Sequence, residues 1–155
     1  MAERAPFSKM LLKGEYTQTH WTNYLANLFW CYRAVEQRLP MIQEWGFARS
    51  PLIYQDLESR SGIVLPSTYE YVNRVDRLDS VQVLAHMYVR WLGDLNGGHL
   101  IAKACPYAHS YLVWEDRDMA KAKIKQVLSS VQDQLIEESK VAFAFAEKLH
   151  HEILL

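Results

Sequence analysis

The sequence predicts an all-α protein with a single domain spanning residues 1–155. Apolar residues recur in steps of three and four along most of the chain, as one face of an amphipathic helix requires. No stretch of useful length alternates apolar and polar residues, as a half-buried strand would. Capping residues, prolines and glycines stand at the ends of the periodic stretches, where helices begin and end.

Two helices are predicted in the first 40 residues. A short helix covers residues 5–13 and is ended by Gly14. A long helix follows, because Thr17 or Thr19 can cap its start and Pro40 stands at its end. The apolar face of the long helix carries Trp21, Tyr24, Leu25, Leu28, Phe29, Tyr32, Val35 and Leu39.

The middle of the chain is predicted as a connection and two shorter helices. Residues 40–50 form the connection, punctuated by proline and glycine. Pro51 is placed as the first residue of a helix that reaches Ser59, since proline suits that position. After Gly62 and Pro66 interrupt the pattern, another helix runs over residues 67–78.

Three further helices are predicted in the second half. Asp79 and Gln82 resemble a capping box in front of a strongly apolar helix that ends before Pro106. The tail from Asp118 is helical twice, first on Ile124, Val127, Leu128, Val131 and Leu135, then on Ala142, Phe143, Ala146, Leu149 and Ile153.

Composition excludes several classes of protein. The net charge of −1 gives no electrostatic reason to expect a nucleic acid or an anionic membrane as partner. No apolar run approaches the roughly 20 residues of a membrane span. Two cysteines without a close partner, Cys31 and Cys105, suit a reducing compartment, and the first residues lack a signal peptide. We expect a cytoplasmic monomer.

The most informative segment runs over residues 88–99 and contains Gly93, Gly97 and Gly98 within a helical pattern. Each glycine costs about 1 kcal/mol relative to alanine in a helix interior. One explanation is that a glycine simply ends the helix, but the apolar period resumes at Leu100. The alternative is a kinked helix whose backbone approaches a flat, bulky ligand, with Asp94 facing the same cavity.

The same segment resembles a known signature. Residues 85–98 read AHMYVRWLGDLNGG and are similar to the distal helix of heme oxygenases, from which they depart at Trp91 and Asn96, with His99 following. The similarity extends to residues 13–36 and 136–143. The resemblance implies a heme-oxygenase-like helical bundle with a kinked distal helix.

The family binds heme as cofactor and substrate, and cleaves it with O2 to biliverdin, CO and ferrous iron. Electrons come from a separate reductase or ferredoxin. By position, Asp94 would hold the water network that supplies protons, with Arg90 and Tyr32 as its partners. Tyr88 and Lys125 would steer the heme propionates. The glycines Gly93, Gly97 and Gly98 would contact the heme face.

The chain departs from the family pattern in two places. The histidine that binds heme iron in the family would fall two residues before Met1, and Ser129 stands where an arginine usually follows Lys125 by one turn. Two explanations are open: the N-terminus is incomplete, or the protein is a family member that lost turnover. Weak heme binding and little bilin are therefore expected of the chain as given, with free imidazole restoring activity.

Another histidine could in principle bind the iron, and two other functions are open. The six histidines are His20, His86, His99, His109, His150 and His151, and each is expected to be structural, with His99 the least implausible distal ligand. Glu147 and His150 have the spacing of a di-iron site, which normally needs two such motifs. A noncatalytic heme-binding or interaction protein is the second rival. The pair formed by Cys105 and the next proline is weak support for a thiolate heme ligand.

Overall fold

A computed structural model of the protein describes residues 5–155, and within that range it contains no β-strand. Residues 1–4, beside which the sequence places the expected iron ligand, lie outside the described residues. The described part has eight α-helices: α1 Pro6–Lys13, α2 Gln18–Arg38, α3 Pro40–Glu44, α4 Ser50–Leu57, α5 Pro66–Arg77, α6 Ser80–Ala104, α7 Arg117–Leu128 and α8 Ile136–Glu152. The all-helical prediction is confirmed.

The first two helices begin and end as the sequence predicts. Gly14 ends α1 in the left-handed conformation, with φ of 70°. A side chain at this position would collide with the carbonyl oxygen of Ala104, so Gly14 also lets the end of α1 approach the end of α6. Thr17 caps α2 by accepting a hydrogen bond from the backbone N–H of His20.

The predicted connection over residues 40–50 is partly wrong, because it contains α3. Pro40 does end α2, but it is also the first residue of α3, where its missing N–H costs nothing. The next helix, α4, ends at Leu57, earlier than predicted, since Glu58 and Ser59 have positive φ angles of 52° and 67°.

The glycine-containing helix, α6, is 25 residues long and is not interrupted at any glycine. The explanation that a glycine ends the helix is therefore wrong, and the kink stays a prediction. Asp79 caps its start by accepting from the backbone N–H of Gln82. The final helix α8 begins at Ile136, earlier than the periodic pattern alone indicates.

A single core surrounds the middle of α2 and α6. α2 packs against α4, α5 and α6, while α6 also contacts α1, α7 and α8. Trp21, Trp91 and Tyr71 are buried in this core, and the indole N–H of Trp91 donates to the carbonyl of Phe47 at 2.8 Å. The central part of α6 thus lies against α1, α2 and α8. No helix within residues 5–155 combines the length and apolarity needed to cross a bilayer.

Candidate functional site

A cavity of about 380 Å³ lies where α1, α2, α6 and α8 meet. Each of the four helices contributes to its wall: Ser8, Leu11 and Leu12 from α1, Tyr24, Leu28 and Tyr32 from α2, Val89, Arg90, Gly93, Asp94, Gly97, Gly98 and Ile101 from α6, and Phe143, Ala146, Glu147 and His150 from α8. The wall is mostly apolar, with a few polar groups, which is typical of a small-molecule site.

The three glycines of α6 differ in their surroundings. A Cβ atom added to Gly93 or Gly97 would meet no atom within 4 Å, so both face open space in the cavity. A Cβ at Gly98 would lie 3.0 Å from Cδ2 of Leu112, so Gly98 is also a close packing position. Gly93 and Gly97 therefore present bare backbone to whatever occupies the cavity.

Three predicted site residues come together at the cavity wall. The hydroxyl of Tyr32 donates a short hydrogen bond to Oδ2 of Asp94. The guanidinium carbon of Arg90 lies 5.8 Å from the centre of the Tyr32 ring and 4.4 Å from that of Tyr71. Arg90 is buried, and its Nε donates to the Tyr71 hydroxyl at 2.9 Å. Arg90 thus lies beside the Tyr32–Asp94 pair, held by Tyr71.

The electrostatics of this group favour proton exchange at Asp94. Burial raises the pKa of the Asp94 carboxyl to about 6, although the Tyr32 hydrogen bond and the charges of Arg90 and Arg49 act in the opposite direction. Burial also raises the pKa of Tyr32 well above its ordinary value, so the phenol stays protonated. An acid with a pKa close to neutral can both hold and release a proton under ordinary conditions.

A buried network behind Arg90 was not predicted from the sequence. Nδ1 of His86 lies 2.8 Å from the Tyr71 hydroxyl, and Nε2 of His86 lies 2.8 Å from Oε2 of Glu138. Arg74 donates two hydrogen bonds to the same carboxylate, at 2.9 and 2.7 Å. Because Tyr71 accepts from Arg90, its own proton points to Nδ1 of His86, and His86 donates from Nε2 to Glu138.

The charges of this network agree with that assignment. Burial lowers the pKa of His86 to about 4, so the imidazole is neutral near pH 7. Burial alone would raise the pKa of Glu138, but the hydrogen bonds from Arg74 and His86 hold it below its ordinary value. The only signal in the sequence was an otherwise apolar helix face that carries His86.

A second, larger cavity of about 760 Å³ adjoins the first. Val89, Gly93 and Phe143 line both cavities, so the two share a wall. Tyr88 and Lys125, the residues predicted to steer propionates, both line the larger cavity. The predicted site residues are therefore divided between two adjoining cavities that meet at Gly93.

Of the six histidines, His150 is the one that lines a described cavity. Its Nδ1 lies 2.6 Å from Oγ of Ser8, and its Nε2 lies 3.4 Å from the Tyr24 hydroxyl. Burial lowers the pKa of His150 to about 4, which makes it neutral near pH 7. His99, the least implausible distal ligand in the sequence, is exposed, contacts Arg117 at 2.9 Å and lines neither cavity.

Two alternatives from the sequence, a di-iron site and a thiolate heme ligand, depend on residues that the structure describes. Glu147 and His150 share the smaller cavity, but residues 5–155 contain no cluster of three or more His, Cys, Asp or Glu side chains suited to a metal ion. The di-iron alternative therefore has no structural support. Burial raises the pKa of the Cys105 thiol, which donates to the carbonyl of Tyr107 at 3.4 Å. A neutral, bonded thiol is a poor heme ligand.

The fold and the cavity define an all-helical protein with a candidate ligand site against a glycine-bearing helix. The sequence model described as "Heme oxygenase" matches residues 1–125, and the chain belongs to the heme oxygenase family. Heme oxygenase 1 of Nostoc sp. is 25% identical over 189 aligned positions, covering 99% of this chain and 79% of the relative. The heme oxygenase of Porphyra purpurea is 33% identical over 122 positions, covering 66% of this chain and 52% of the relative.

Solved structures show the same fold. Heme oxygenase-2 from Synechocystis sp. PCC 6803, in complex with heme and NO, superposes with a TM-score of 0.85 at 22% identity, covering 97% of this chain and 78% of that one. Heme oxygenase-1 from Synechocystis, in complex with heme, gives a TM-score of 0.82 at 22% identity, covering 96% of this chain and 83% of that one.

Proposed function

We propose that the protein is a heme oxygenase that cleaves heme to biliverdin, CO and ferrous iron with O2. One observation carries the proposal: Asp94, bonded to Tyr32, lies between the open glycines Gly93 and Gly97 at the wall of the cavity. Electrons would come from a separate reductase or ferredoxin, and we expect the protein to act as a cytoplasmic monomer.

The residues present fit a heme. Glycine lets a flat apolar ligand approach a helix backbone closely, and Gly93 and Gly97 leave that backbone bare. Leu11, Leu28 and Ile101 supply apolar contact in the same cavity. Membership of the family and the heme named in the two similar structures support the same ligand. When bound, heme supplies the iron that activates O2 and is itself the molecule that is opened.

The chain's own residues would then manage protons and water. Asp94, with a pKa of about 6, is able to hold a proton at Oδ1 or to orient a water molecule toward the ligand. The Tyr32 hydroxyl donates to Oδ2 of Asp94 and so fixes the orientation of the carboxyl group. The buried Arg90 supplies a nearby positive charge, which favours a negative charge on Asp94 after it gives up its proton.

The proposal is tested by comparing the wild type with Asp94→Ala in hemin binding and in bilin formation. Each protein is titrated with hemin, then supplied with a reductase, O2 and catalase, with and without free imidazole. We expect Asp94→Ala to bind hemin as the wild type does and to form bilin at least about 100-fold more slowly, since a positioned acid contributes roughly 10²–10⁴-fold. Peroxidase-like oxidation should rise in the same variant.

The matched control is Asp76→Ala, because Asp76 is exposed on α5 and lies in neither cavity. An unchanged bilin yield in Asp94→Ala would refute the role assigned to Asp94. Hemin bound by the wild type without any bilin, even with imidazole, would instead support the noncatalytic heme-binding alternative. The unplaced iron-binding histidine motivates that alternative, and Ser129 in place of the usual arginine is a second departure from the family pattern.

A further inference from the structure

The larger cavity has a distinctive charge. Two lysines line it, Lys125 from α7 and Lys140 from α8, and no aspartate or glutamate does. The smaller cavity, in contrast, is lined by Arg90, Asp94 and Glu147. Because the whole chain has a net charge of −1, the positive charge of the larger cavity is local and does not reflect a general excess of lysine. Such a cavity is complementary to an anionic group.

We propose that Lys140 is a second binding residue, which together with Lys125 takes the two carboxylates of an apolar dicarboxylate ligand. The inference rests on the proposed function for the identity of that ligand as heme, whose two propionates match two ammonium groups in number. Lys140 lies in the segment 136–143 that resembles the family, but the resemblance described above assigns it no role. We call Lys125 and Lys140 together the lysine pair.

Lys140 is free to exchange its present partner for a ligand. Its Nζ lies 3.2 Å from Oε1 of Glu137, and both side chains are largely exposed, at 69% and 87%. An ion pair this exposed contributes little to stability, so its loss costs little. A ligand carboxylate held beside the apolar wall would be less hydrated, and its interaction with Lys140 correspondingly stronger.

The apolar part of the same wall supports an amphiphilic ligand. Leu92, Leu128 and Leu135 line the larger cavity, and Phe143 lies in the wall shared with the smaller cavity while 56% exposed. An exposed phenylalanine between two cavities is suited to cover the face or edge of a planar apolar molecule.

The lysine pair also explains how Ser129 can be tolerated. Ser129 lines the larger cavity one turn after Lys125, where the family resemblance leads one to expect an arginine. Lys140 supplies a positive charge to the same cavity from a different helix. Two cations thereby face the ligand's carboxylates without an arginine at position 129.

The pair would determine how the ligand lies. Carboxylates held in the larger cavity direct the apolar body of the ligand past Gly93, which lines both cavities, toward Asp94 in the smaller one. Lys140 would thus affect which part of the ligand is presented to Asp94.

The test measures hemin affinity by absorbance titration for the wild type, Lys125→Ala, Lys140→Ala and Lys148→Ala. Lys148 is the matched control: it lies on α8, is exposed, forms a comparable pair with Glu70 at 2.9 Å and lines neither cavity. We expect about a fivefold loss of affinity for Lys125→Ala and for Lys140→Ala, and no loss for Lys148→Ala. Lys140→Arg should retain affinity, because it keeps the charge.

Hemin dimethyl ester provides the second measurement, since its carboxylates carry no charge. The effect of Lys140→Ala should disappear with the ester, whereas a variant with a damaged fold would lose affinity for both ligands. Equal hemin affinities for Lys140→Ala and Lys148→Ala would overturn the lysine pair while leaving heme binding in place. Failure of the wild type to bind hemin at all, with or without imidazole, would overturn the proposed function and the lysine pair together.

Discussion

At the scale of single residues, Asp94 is placed to exchange a proton. It lies in a mostly apolar cavity, and burial raises its pKa to about 6. The Tyr32 hydrogen bond opposes that shift, because it stabilises the charged carboxylate. The two residues thus set the acidity of the site together.

We expect Tyr32→Phe to raise the pKa of Asp94 above 6, because the charged form loses its hydrogen-bond donor. The measurement is the titration of the Asp94 carboxyl by NMR with a selectively labelled aspartate. Tyr69→Phe is the control, since Tyr69 is exposed on α5. A pKa of Asp94 that stays the same or falls in Tyr32→Phe would contradict the account.

At the scale of helices, Glu138 ties three elements together. It lies on α8, accepts from Arg74 of α5 and is bonded to His86 of α6. Glu138 is 5% exposed, so little water can replace it as the acceptor of these hydrogen bonds. Its neighbour Glu137 is 87% exposed and forms an ion pair with Lys140 within α8.

Glu138→Ala should therefore destabilise the fold by about 2 kcal/mol, because it leaves the buried Nε2–H of His86 without an acceptor. The loss is smaller than for a fully buried pair, since the Arg74 side chain is 41% exposed to water. Urea unfolding measures the change. Glu137→Ala should alter the free energy of unfolding by less than about 0.5 kcal/mol, and an equal effect of the two substitutions would refute this role.

The glycines of α6 should separate stability from binding. The methyl group that Gly97→Ala adds would meet no atom within 4 Å. The substitution should therefore stabilise the ligand-free protein by up to about 1 kcal/mol, because alanine favours the helix more than glycine does. The same methyl group enters the cavity, so hemin affinity should fall. Gly14→Ala should instead destabilise the protein, because Gly14 has φ of 70° and lies against Ala104.

Thermal unfolding and hemin titration of the two alanine variants check this prediction. Unchanged hemin affinity in Gly97→Ala would mean that the ligand does not approach α6 at this position. A loss of stability in Gly97→Ala would show that the open space beside Gly97 is occupied in the folded protein.

Helix positions could be predicted because their signals are local. Thr17 and Asp79 cap helices from adjacent residues, and Gly14 acts within one turn. The prediction lacks α3 because Pro40 is a signal both for the end of one helix and for the start of the next. The contacts of His86 with Tyr71 and Glu138 join residues 15 and 52 positions away, so no local pattern revealed them.

At the scale of the whole molecule, stability should depend on pH through His86 and His150. Both have a pKa near 4 in the folded protein, against an ordinary value of 6.5. As the pH falls, these histidines therefore take up protons in the unfolded chain before they do so in the folded protein. The contribution of the two neutral histidines to the free energy of unfolding is complete above pH 6.5 and is lost between pH 6.5 and 4. Asp94, with a raised pKa of about 6, acts in the opposite direction and offsets part of the loss.

We expect the urea concentration at the unfolding midpoint to decrease as the pH is lowered from 6.5 to 4. The decrease should be less steep in His150→Gln. His151→Gln is the control, because His151 is exposed on the same helix. A wild-type midpoint that rises as the solution is acidified, or a His150→Gln profile parallel to the wild type, would contradict the assignment of a neutral His150.

The family and the distal signature could be identified from sequence because AHMYVRWLGDLNGG lies on one continuous helix. The shape of the site could not, since its two cavities are formed by separate helices. Lys125 and Lys140 are brought to one cavity only when α7 and α8 pack beside α6. The position of His150 in the smaller cavity likewise depends on the packing of α8 against α1.

The most direct test of the central claim is the identity of the product formed from hemin under isotopically labelled O2. The wild type, given a reductase, catalase and imidazole, should release bilin and CO that both carry the label, and Asp94→Asn should not. Hemin that remains intact, or a pigment that forms equally in the wild type and in Asp94→Asn, would contradict the account.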